Sequence, residues 1–246
     1  EMTKEEIWRR KRIGKITSSC LHLLNSKSGR WTQTNISYLY QLQRERLLGQ
    51  PKPNNPTYAM QIGIDNEKYA IEWLRHNCKG VEILHCDEDF DEKIFIETDF
   101  GLGDSPDGYM KINGREDVVI EIKCVVSDTD LAWMFSPTVD YGKKYVSVLK
   151  QHEDQILGHL LAHPNAERVL LLKYDPQIDS DEYDLRSPLD TSRGLVFTYW
   201  RDNLKVELEQ LKERIRFADS YLDSGKDIDE INKYWDEYKE KQKSNN

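Results

Sequence analysis

The chain has 246 residues, of which 38% are hydrophobic and 32% charged, and it carries a net charge of -9. This composition is typical of a globular protein, and the negative charge argues against a protein that coats nucleic acid with its whole surface. No apolar run approaches the roughly 20 residues that span a bilayer, and the N-terminal sequence EMTKEEIWRRKR has no apolar signal-peptide region, so we expect a cytoplasmic protein without membrane association.

Helical periodicity, capping residues and alternating apolar positions divide the chain into elements. The first part of the chain is predicted to be helical, with helices over 4–12, 34–48 and 57–78 and another that begins at the capping residues 17–19 and ends at about 24. Strands follow at about 81–90, 93–98, 102–111 and 117–126, with Asn113-Gly114 as the turn between the last two. The second half has a helix at 144–163, strands at 168–174 and 194–200, and a helix at 202–223. This order predicts one mixed α/β domain over residues 1–225, with a charged helical tail over 226–246.

The predicted strand at 117–126 carries the first sign of chemistry. Side chains alternate between the two faces of a strand, so Glu121 and Lys123 share a face whose other members are valines, while the opposite face is apolar. One interpretation is an ordinary half-exposed strand with an ion pair between neighbours. The other is a carboxylate and an ammonium that act together in a site.

Asp107 precedes this strand in the tetrapeptide Ser105-Pro106-Asp107-Gly108. Alone, that tetrapeptide is typical of a type I turn. Combined with Glu121 and Lys123, it supplies two carboxylates, which suit the hard cation Mg²⁺. The lysine can then position the attacking water or stabilise charge on phosphorus. From the residues alone, we therefore expect metal-assisted hydrolysis with a lysine-assisted water.

A third carboxylate, Glu67, occupies one place in an apolar stripe on the predicted helix at 57–78. The other members recur at steps of four and three: Met60, Ile64, Ile71, Leu74 and Cys78. A carboxylate at the centre of an apolar seam is costly unless it is paired or binds a metal. We favour a metal-site role, and the alternative is a buried ion pair with an arginine or lysine.

The densest basic run in the chain is Arg9 to Arg12, followed by Lys15. It leads into the start of the predicted helix at 17–24, where free backbone N–H groups favour an anion. From the residues alone, a solvated basic face is the preferred interpretation, and a phosphate-binding segment is the alternative.

Zinc and disulfides are not expected. His152, His159 and His163 lie on one predicted helix, but no nearby carboxylate or cysteine completes a set of zinc ligands with them. The four cysteines are scattered and form no CxxC pair, which favours reduced thiols.

These motifs form an ordered series that resembles the phage lambda-type exonucleases, also called YqaJ-like viral recombinases, within the PD-(D/E)XK nucleases. The series comprises Trp8, Arg12, Gly14, Ile16, Thr17, Ser19, Ser28-Gly29, Ser37-Tyr38, Gly63, Glu67, Ser105 to Gly108, Glu121 to Cys124, Gln155 and Tyr174-Asp175-Pro176. Beyond about residue 200 the chain matches only in being helical. The resemblance implies a restriction-endonuclease-like core, in which a central mixed β-sheet is flanked by helices.

The resemblance also implies a metal site with two Mg²⁺ ions, for which Mn²⁺ can substitute. Asp107 and Glu121 would bind the metals, with the carbonyl of Ile122 as an extra ligand. Glu67 would complete a second metal position, since paired ions about 4 Å apart can activate the water and stabilise the leaving oxygen.

Roles for the remaining motif residues follow from the same resemblance. Lys123 would orient or activate the water with support from Gln155, although Gln151 lies one helical turn earlier and is an alternative. The 5′-phosphate of a DNA end would be held by Arg12, Ser19 and Ser105, in keeping with the bidentate contacts that arginine makes to phosphate.

The expected function is therefore a 5′-to-3′ exonuclease that degrades linear double-stranded DNA to mononucleotides in phage-type homologous recombination. The resemblance further implies a ring-shaped homotrimer and a single-strand annealing protein as partner. The nearest alternative is an endonuclease acting on DNA or RNA with the same fold. From another class, an inactive DNA-end-binding module is disfavoured by the intact set of Asp107, Glu121 and Lys123, and iron–sulfur exonucleases by the lack of cysteines after Cys124.

Overall fold

The computed structural model describes residues 2–53, 56–112, 114–176 and 193–244, and only the backbone of residues 115–117. Within these ranges the α-helices are α1 (Lys4–Arg12), α2 (Gln33–Leu48), α3 (Tyr58–Asn77), α4 (Asp128–Phe135), α5 (Tyr141–Ala162), α6 (Lys205–Asp223) and α7 (Ile231–Ser244). The strands are β1 (Ile16–Thr17), β2 (Glu82–His85), β3 (Ile96–Glu97), β4 (Leu102–Asp104), β5 (Gly108–Ile112), β6 (Arg115–Cys124), β7 (Arg168–Tyr174) and β8 (Gly194–Trp200).

Local sequence signals account for where the first helices begin and end. Thr3 caps α1, and Glu6 returns a hydrogen bond to the Thr3 backbone to complete a capping box. Thr32 caps α2 in the same way, and Gly49 ends it at a φ of 62°, a left-handed conformation that glycine adopts without steric cost.

The larger sheet has five strands in the order β2-β5-β6-β7-β8, with β6 and β7 parallel and the other pairs antiparallel. The central strand β6 is covered on both faces: Val118 and Ile120 pack with Ile71 of α3, while Val119 packs with Ile156 of α5. A strand buried on both faces reads as a nearly continuous apolar run. Glu121 and Lys123 interrupt this run towards the carboxyl end of β6, where Glu121 contacts Gln155 and His159 of α5.

The smaller sheet has the order β1-β4-β3, with β1 parallel and β3 antiparallel to β4. A 3₁₀ helix over Ser18–Leu23 follows β1 directly and packs closely on α5. A side chain at Gly158 of α5 would lie 2.6 Å from Ser18. This contact fixes the N-terminal segment beside the helix that covers β6.

Three residues, Ser105, Pro106 and Asp107, connect β4 of the smaller sheet to β5 of the larger one. Sequence reasoning predicted one strand over 102–111, which is wrong because this link divides it into β4 and β5. Gly108 is needed for close packing, because a Cβ there would lie 2.5 Å from the carbonyl oxygen of Leu84.

Other elements also differ from the prediction. The helix predicted over 17–24 is a short strand followed by the 3₁₀ helix, and Thr17 makes no side-chain cap. The strands predicted at 81–90 and 93–98 are shorter, and α4 was not predicted. Of the predicted turn at 113–114, residue 113 lies outside the described residues, while Gly114 has a φ of 79°.

The segment predicted as a charged tail packs against the rest of the chain. Ile231 and Trp235 of α7 are buried, and the Trp235 ring makes an edge contact with Trp31 at 5.8 Å between centroids. The boundary predicted at residue 225 stays a prediction. In the part of the chain that the structure describes, no helix combines the length and apolar character needed to cross a membrane.

Candidate active site

The candidate site begins where β5 and β6 stop pairing. The last paired residues are Gly108 and Ile120, and beyond them the edge of β6 is occupied by Asp107. The Asp107 N–H donates to the Ile120 carbonyl oxygen at 3.2 Å, and the Ile122 N–H donates to the Asp107 carboxylate at 2.6 Å. Asp107 is therefore fixed beside the two β6 residues that sequence analysis combined with it.

Glu121 is buried and lies at the centre of a hydrogen-bond network. One carboxylate oxygen accepts from Lys123 Nζ at 2.6 Å and from Gln155 Nε2 at 2.7 Å, and the other contacts His159 Nε2 at 2.7 Å. Burial alone would raise the pKa of Glu121, but Lys123 and His159 lower it to about 2. Glu121 is thus ionised and held in one orientation.

Gln155, and not Gln151, reaches Glu121. Both side chains project from α5 towards the same sheet face, one helical turn apart. Gln151 accepts instead from Lys173 of β7 at 3.3 Å. Gln155 was expected to support Lys123; its amide donates to Glu121, the carboxylate that Lys123 also contacts, and its role in the reaction stays a prediction.

Asp107 is surrounded by negative charge. Its pKa is raised well above the usual range, chiefly by burial and then by the charges of Glu121 and Glu67, while Lys123 opposes the shift. Three carboxylates that repel one another are costly to keep ionised together. A bound cation or a proton would relieve that cost.

The donor set fits Mg²⁺, which is commonly held by one or two carboxylates and keeps several waters. The repulsion between Asp107 and Glu121 is the structural observation that favours a cation there. Among the described residues, however, no three His, Cys, Asp or Glu side chains are arranged around one metal position. Glu121 is turned towards Lys123 and His159, and Glu67 towards His85.

The expected position of Glu67 at the centre of an apolar seam is wrong. Ile71 and Leu74 are buried, but Met60 and Ile64, nearer the start of α3, are 47% and 60% exposed. Glu67 lies at the border, with a side chain 24% exposed, and contacts His85 Nε2 at 2.8 Å. Its partner is a histidine, where the alternative interpretation expected an arginine or lysine.

His159 and Asp104 are functional candidates that sequence reasoning missed. His159 Nδ1 lies 2.9 Å from the Asp104 carboxylate, which also contacts His163 Nε2 at 2.9 Å. Burial would lower the pKa of His159, but Asp104 and Glu121 raise it to about 10. The spacing of His159 and His163 was noticed in the sequence, but their carboxylate partner is distant in the chain.

The basic run near the N-terminus divides into exposed and half-buried residues. Arg9 to Lys11 are exposed, whereas Arg12 is half-buried with its guanidinium carbon 4.4 Å from the centroid of the Trp8 ring. Arg12 approaches Ser19 Oγ at 3.3 Å and Ser105 Oγ at 3.4 Å. The three residues predicted to hold a 5′-phosphate therefore lie together.

Ser105 is arranged to donate a hydrogen bond. Its oxygen accepts from Trp8 Nε1 at 2.9 Å and from Arg12. A hydroxyl has two acceptor lone pairs and one O–H donor, so these contacts leave the Ser105 O–H to face an acceptor such as a phosphate oxygen. We call Arg12, Ser19 and Ser105 the Arg12 pocket.

Comparison with solved structures finds the same fold in exonucleases. The alkaline exonuclease LHK-Exo from Laribacter hongkongensis aligns with 96% of this chain and 99% of its own, at 20% identity and a TM-score of 0.58. Its complex with dAMP aligns with 89% of this chain and 95% of its own, at 20% identity and a TM-score of 0.58. A phage-related exonuclease from Haemophilus somnus 129PT aligns with 85% of this chain and 94% of its own, at 19% identity and a TM-score of 0.61.

These likenesses confirm the predicted fold: an α/β protein whose mixed sheets are flanked by helices, as in the lambda-type exonucleases. No protein-family model matches the sequence, and a comparison with curated proteins finds no match.

Proposed function

We propose that this protein is a metal-dependent deoxyribonuclease that degrades linear double-stranded DNA from the 5′ end and releases mononucleotides. The observation that carries the proposal is the grouping of Asp107, Glu121 and Lys123 at the carboxyl end of β6. The fold shared with alkaline exonucleases supports it, and the dAMP bound to LHK-Exo supports a mononucleotide product.

In this proposal Asp107, Glu121 and the carbonyl of Ile122 hold one Mg²⁺, Glu67 completes a second position, and Mn²⁺ can substitute. The chemistry that Mg²⁺ would supply there is a lower pKa of the attacking water and neutralisation of charge on the phosphate. One oxygen of Glu67 contacts His85 Nε2, and a carboxylate that binds a metal commonly keeps such a hydrogen bond.

The chain's own residues set the geometry of the reaction. The Ile122 N–H orients Asp107, and Gln155 donates to Glu121. Lys123 carries a positive charge, because Glu121 and Asp107 raise its pKa against the effect of burial. Its side chain is 30% exposed, and its ammonium can donate a hydrogen bond to the attacking water or to the phosphate.

The Arg12 pocket would recognise the DNA end. A terminal phosphate has more charge and one more free oxygen than a bridging phosphate, which suits a guanidinium fork with two hydroxyls. Since Ser105 is separated from Asp107 only by Pro106, an end held at the pocket lies close to the carboxylates. This proximity supports cleavage at the end of the duplex.

On the sequence resemblance, we extend the proposal to a ring-shaped homotrimer that threads DNA in the cytoplasm. A single-strand annealing protein would be its partner in phage-type recombination. Sedimentation of the purified protein tests the trimer, and a monomer with full activity would contradict it.

The proposed function is tested with labelled duplexes of one sequence, linear with a 5′-phosphate, linear with a 5′-hydroxyl, and closed circular. We expect mononucleotides from the linear forms in Mg²⁺, no cleavage in chelator, and intact circles. Internal fragments and cut circles would indicate an endonuclease. An inactive end-binding module would give a different result: the wild type would bind DNA ends but release no products, and the Asp107→Asn variant would bind the ends as tightly as the wild type.

A further inference from the structure

Asp104 and Glu121 belong to different sheets, and His159 of α5 joins their carboxylates. The two ring nitrogens of His159 lie 2.9 Å from Asp104 Oδ2 and 2.7 Å from Glu121 Oε2. All three residues are buried: Asp104 is 1% exposed, Glu121 3% and His159 0%. A bridge so shielded from water holds its geometry more strongly than a surface ion pair.

The chemistry of the bridge is asymmetric at Asp104. Both His159 and His163 contact Oδ2, while Oδ1 is buried and has no hydrogen-bond partner among the described residues. A buried carboxylate oxygen without a donor leaves Asp104 dependent on nearby positive charge. Asp104 is therefore sensitive to any change of charge around it.

One such charge is Arg12. Burial lowers the pKa of Arg12, and the charge of Asp104 is among those that oppose this shift, so the two groups interact electrostatically. Asp104 also immediately precedes Ser105, whose hydroxyl contacts the Arg12 guanidinium at 3.4 Å. Asp104 is thus next to the Arg12 pocket along the chain and is joined through His159 to Glu121.

We propose that Asp104 and His159 couple occupation of the Arg12 pocket to the placement of Glu121, so that a terminal phosphate accelerates hydrolysis as well as strengthening binding. A phosphate at Arg12 neutralises the guanidinium, and Asp104 then depends more on its contact with His159, which of its two histidine partners is the one that also contacts Glu121. The His159 ring is held more firmly, and Glu121 with it. This inference rests on the proposed function and assigns Asp104 and His159 as positioning residues.

The test compares kcat and KM on linear duplexes that differ only in a 5′-phosphate or a 5′-hydroxyl. In the wild type, the phosphate should improve both constants. In His159→Gln the side-chain amide cannot bridge two carboxylates through separate nitrogens, and the kcat ratio of phosphate to hydroxyl should fall about fivefold or more, as for a coupling between sites. The KM ratio should stay at the wild-type value, because the pocket is intact.

His163→Gln is the matched control, since His163 contacts Asp104 but not Glu121, and it should keep the wild-type kcat ratio. Asp104→Asn should lower the kcat ratio of phosphate to hydroxyl as His159→Gln does. If His159→Gln does not fold, Asp104→Asn takes its place in the test. In chelator, where no cleavage occurs, a 5′-phosphorylated duplex should raise the Tm of His159→Gln as much as that of the wild type.

The outcomes separate this inference from the proposed function. A wild type that treats both ends alike contradicts the proposed end recognition and, with it, the coupling. A wild type that prefers the phosphate, with an unchanged kcat ratio in His159→Gln, contradicts the coupling alone. Loss of the KM ratio or of the Tm gain in that variant would mean that His159 supports the pocket itself, and would also overturn the proposal.

Discussion

Lys173 of β7 lies directly opposite Lys123 of β6 in the parallel register, so the two lysines share a sheet face under α5. Lys173 is 6% exposed. Its ammonium contacts His152 Nε2 at 2.7 Å and Gln151 Oε1 at 3.3 Å. Both partners are neutral acceptors, because burial and the charge of Lys173 lower the pKa of His152 to about 3.

The first prediction is that Lys173 destabilises the folded protein at neutral pH. Burial and the charge of Lys123 lower its pKa to about 8, against weaker opposition from Asp130 of α4 and from Glu121. An unfolded lysine titrates near pH 10.4, so the unfolded chain binds the proton more tightly. Lys173→Met should therefore raise the free energy of unfolding at pH 7 by up to about 3 kcal/mol, at about 1.4 kcal/mol for each pKa unit, less what the lost contacts to Gln151 and His152 contribute.

The sign of this effect gives a pH test. Between about pH 8 and pH 10 the folded wild type loses the proton before the unfolded chain does, so wild-type stability rises relative to the variant. Urea unfolding at pH 7 and pH 10 should show the advantage of Lys173→Met shrinking. The exposed Lys143→Met is the control and should show no such change. A variant less stable at pH 7 would contradict the prediction.

The second prediction concerns the repulsion at Asp107. Asp107→Asn removes a carboxylate that Glu121 and Glu67 repel and keeps an oxygen to accept from the Ile122 N–H. In chelator the Tm of Asp107→Asn should therefore be higher than that of the wild type, by about 2–4 °C for each kcal/mol gained in the free energy of unfolding. Cleavage should fall by about a thousandfold, since a metal ligand supplies several kcal/mol.

Melting curves with and without Mg²⁺ check the same variant. In the wild type Mg²⁺ should raise the Tm by mass action, and in Asp107→Asn that gain should be lost. Asp91→Asn removes an exposed carboxylate and should keep the gain. Full cleavage by Asp107→Asn would refute the assignment of the site.

The third prediction separates the two roles of Glu67. If Glu67 binds a second metal, Glu67→Gln should reduce the Mg²⁺-dependent gain in Tm. Glu88, which approaches the other ring nitrogen of His85 at 3.3 Å, offers the control Glu88→Gln, in which the gain should persist. An equal loss of Tm with and without Mg²⁺ in Glu67→Gln would instead assign it to a structural pair with His85.

The fourth prediction is that Arg12 reads the DNA end. Arg12→Ala should reduce the advantage of 5′-phosphorylated over 5′-hydroxyl duplex by about tenfold, because hydrogen bonds to charged groups are worth about 1.5–3 kcal/mol. Arg9, whose side chain is 66% exposed and paired with Glu5, supplies the control Arg9→Ala. The measurement is the ratio of initial rates at one salt concentration. Equal ratios in both variants would assign Arg12 to a solvated basic face.

The sequence predicted best those elements whose burial is uniform. The strand at 168–174 has the predicted bounds and is almost entirely buried, because a run of apolar residues between polar ones indicates a central strand. The edge strand at 194–200 also has its predicted bounds, although it is only partly buried. The sequence also allowed the site to be grouped correctly in part, because Glu121 and Lys123 share one face of β6. Asp107 joins them from the link between β4 and β5.

The rest depended on distances that spacing along the chain does not encode. His159 meets Asp104 and Glu121, which are 55 and 38 positions away, so no local pattern could reveal their bridge. The error at Glu67 has a different cause: the apolar stripe of α3 continues past the edge of the sheet, and its first turns face solvent. Periodicity identifies a face of a helix but not how much of that face is covered.

The link between β4 and β5 restricts how this protein can change over evolutionary time. Most connections on a protein surface accept insertions at little cost. Here Ser105 is anchored to Trp8 and Asp107 to Ile122. An extra residue inserted between them would shift Ser105 relative to Asp107 by about 3.5 Å, which would break at least one of these contacts. Homologous chains that keep both anchors should therefore vary in almost every other loop before they vary in the length of this one.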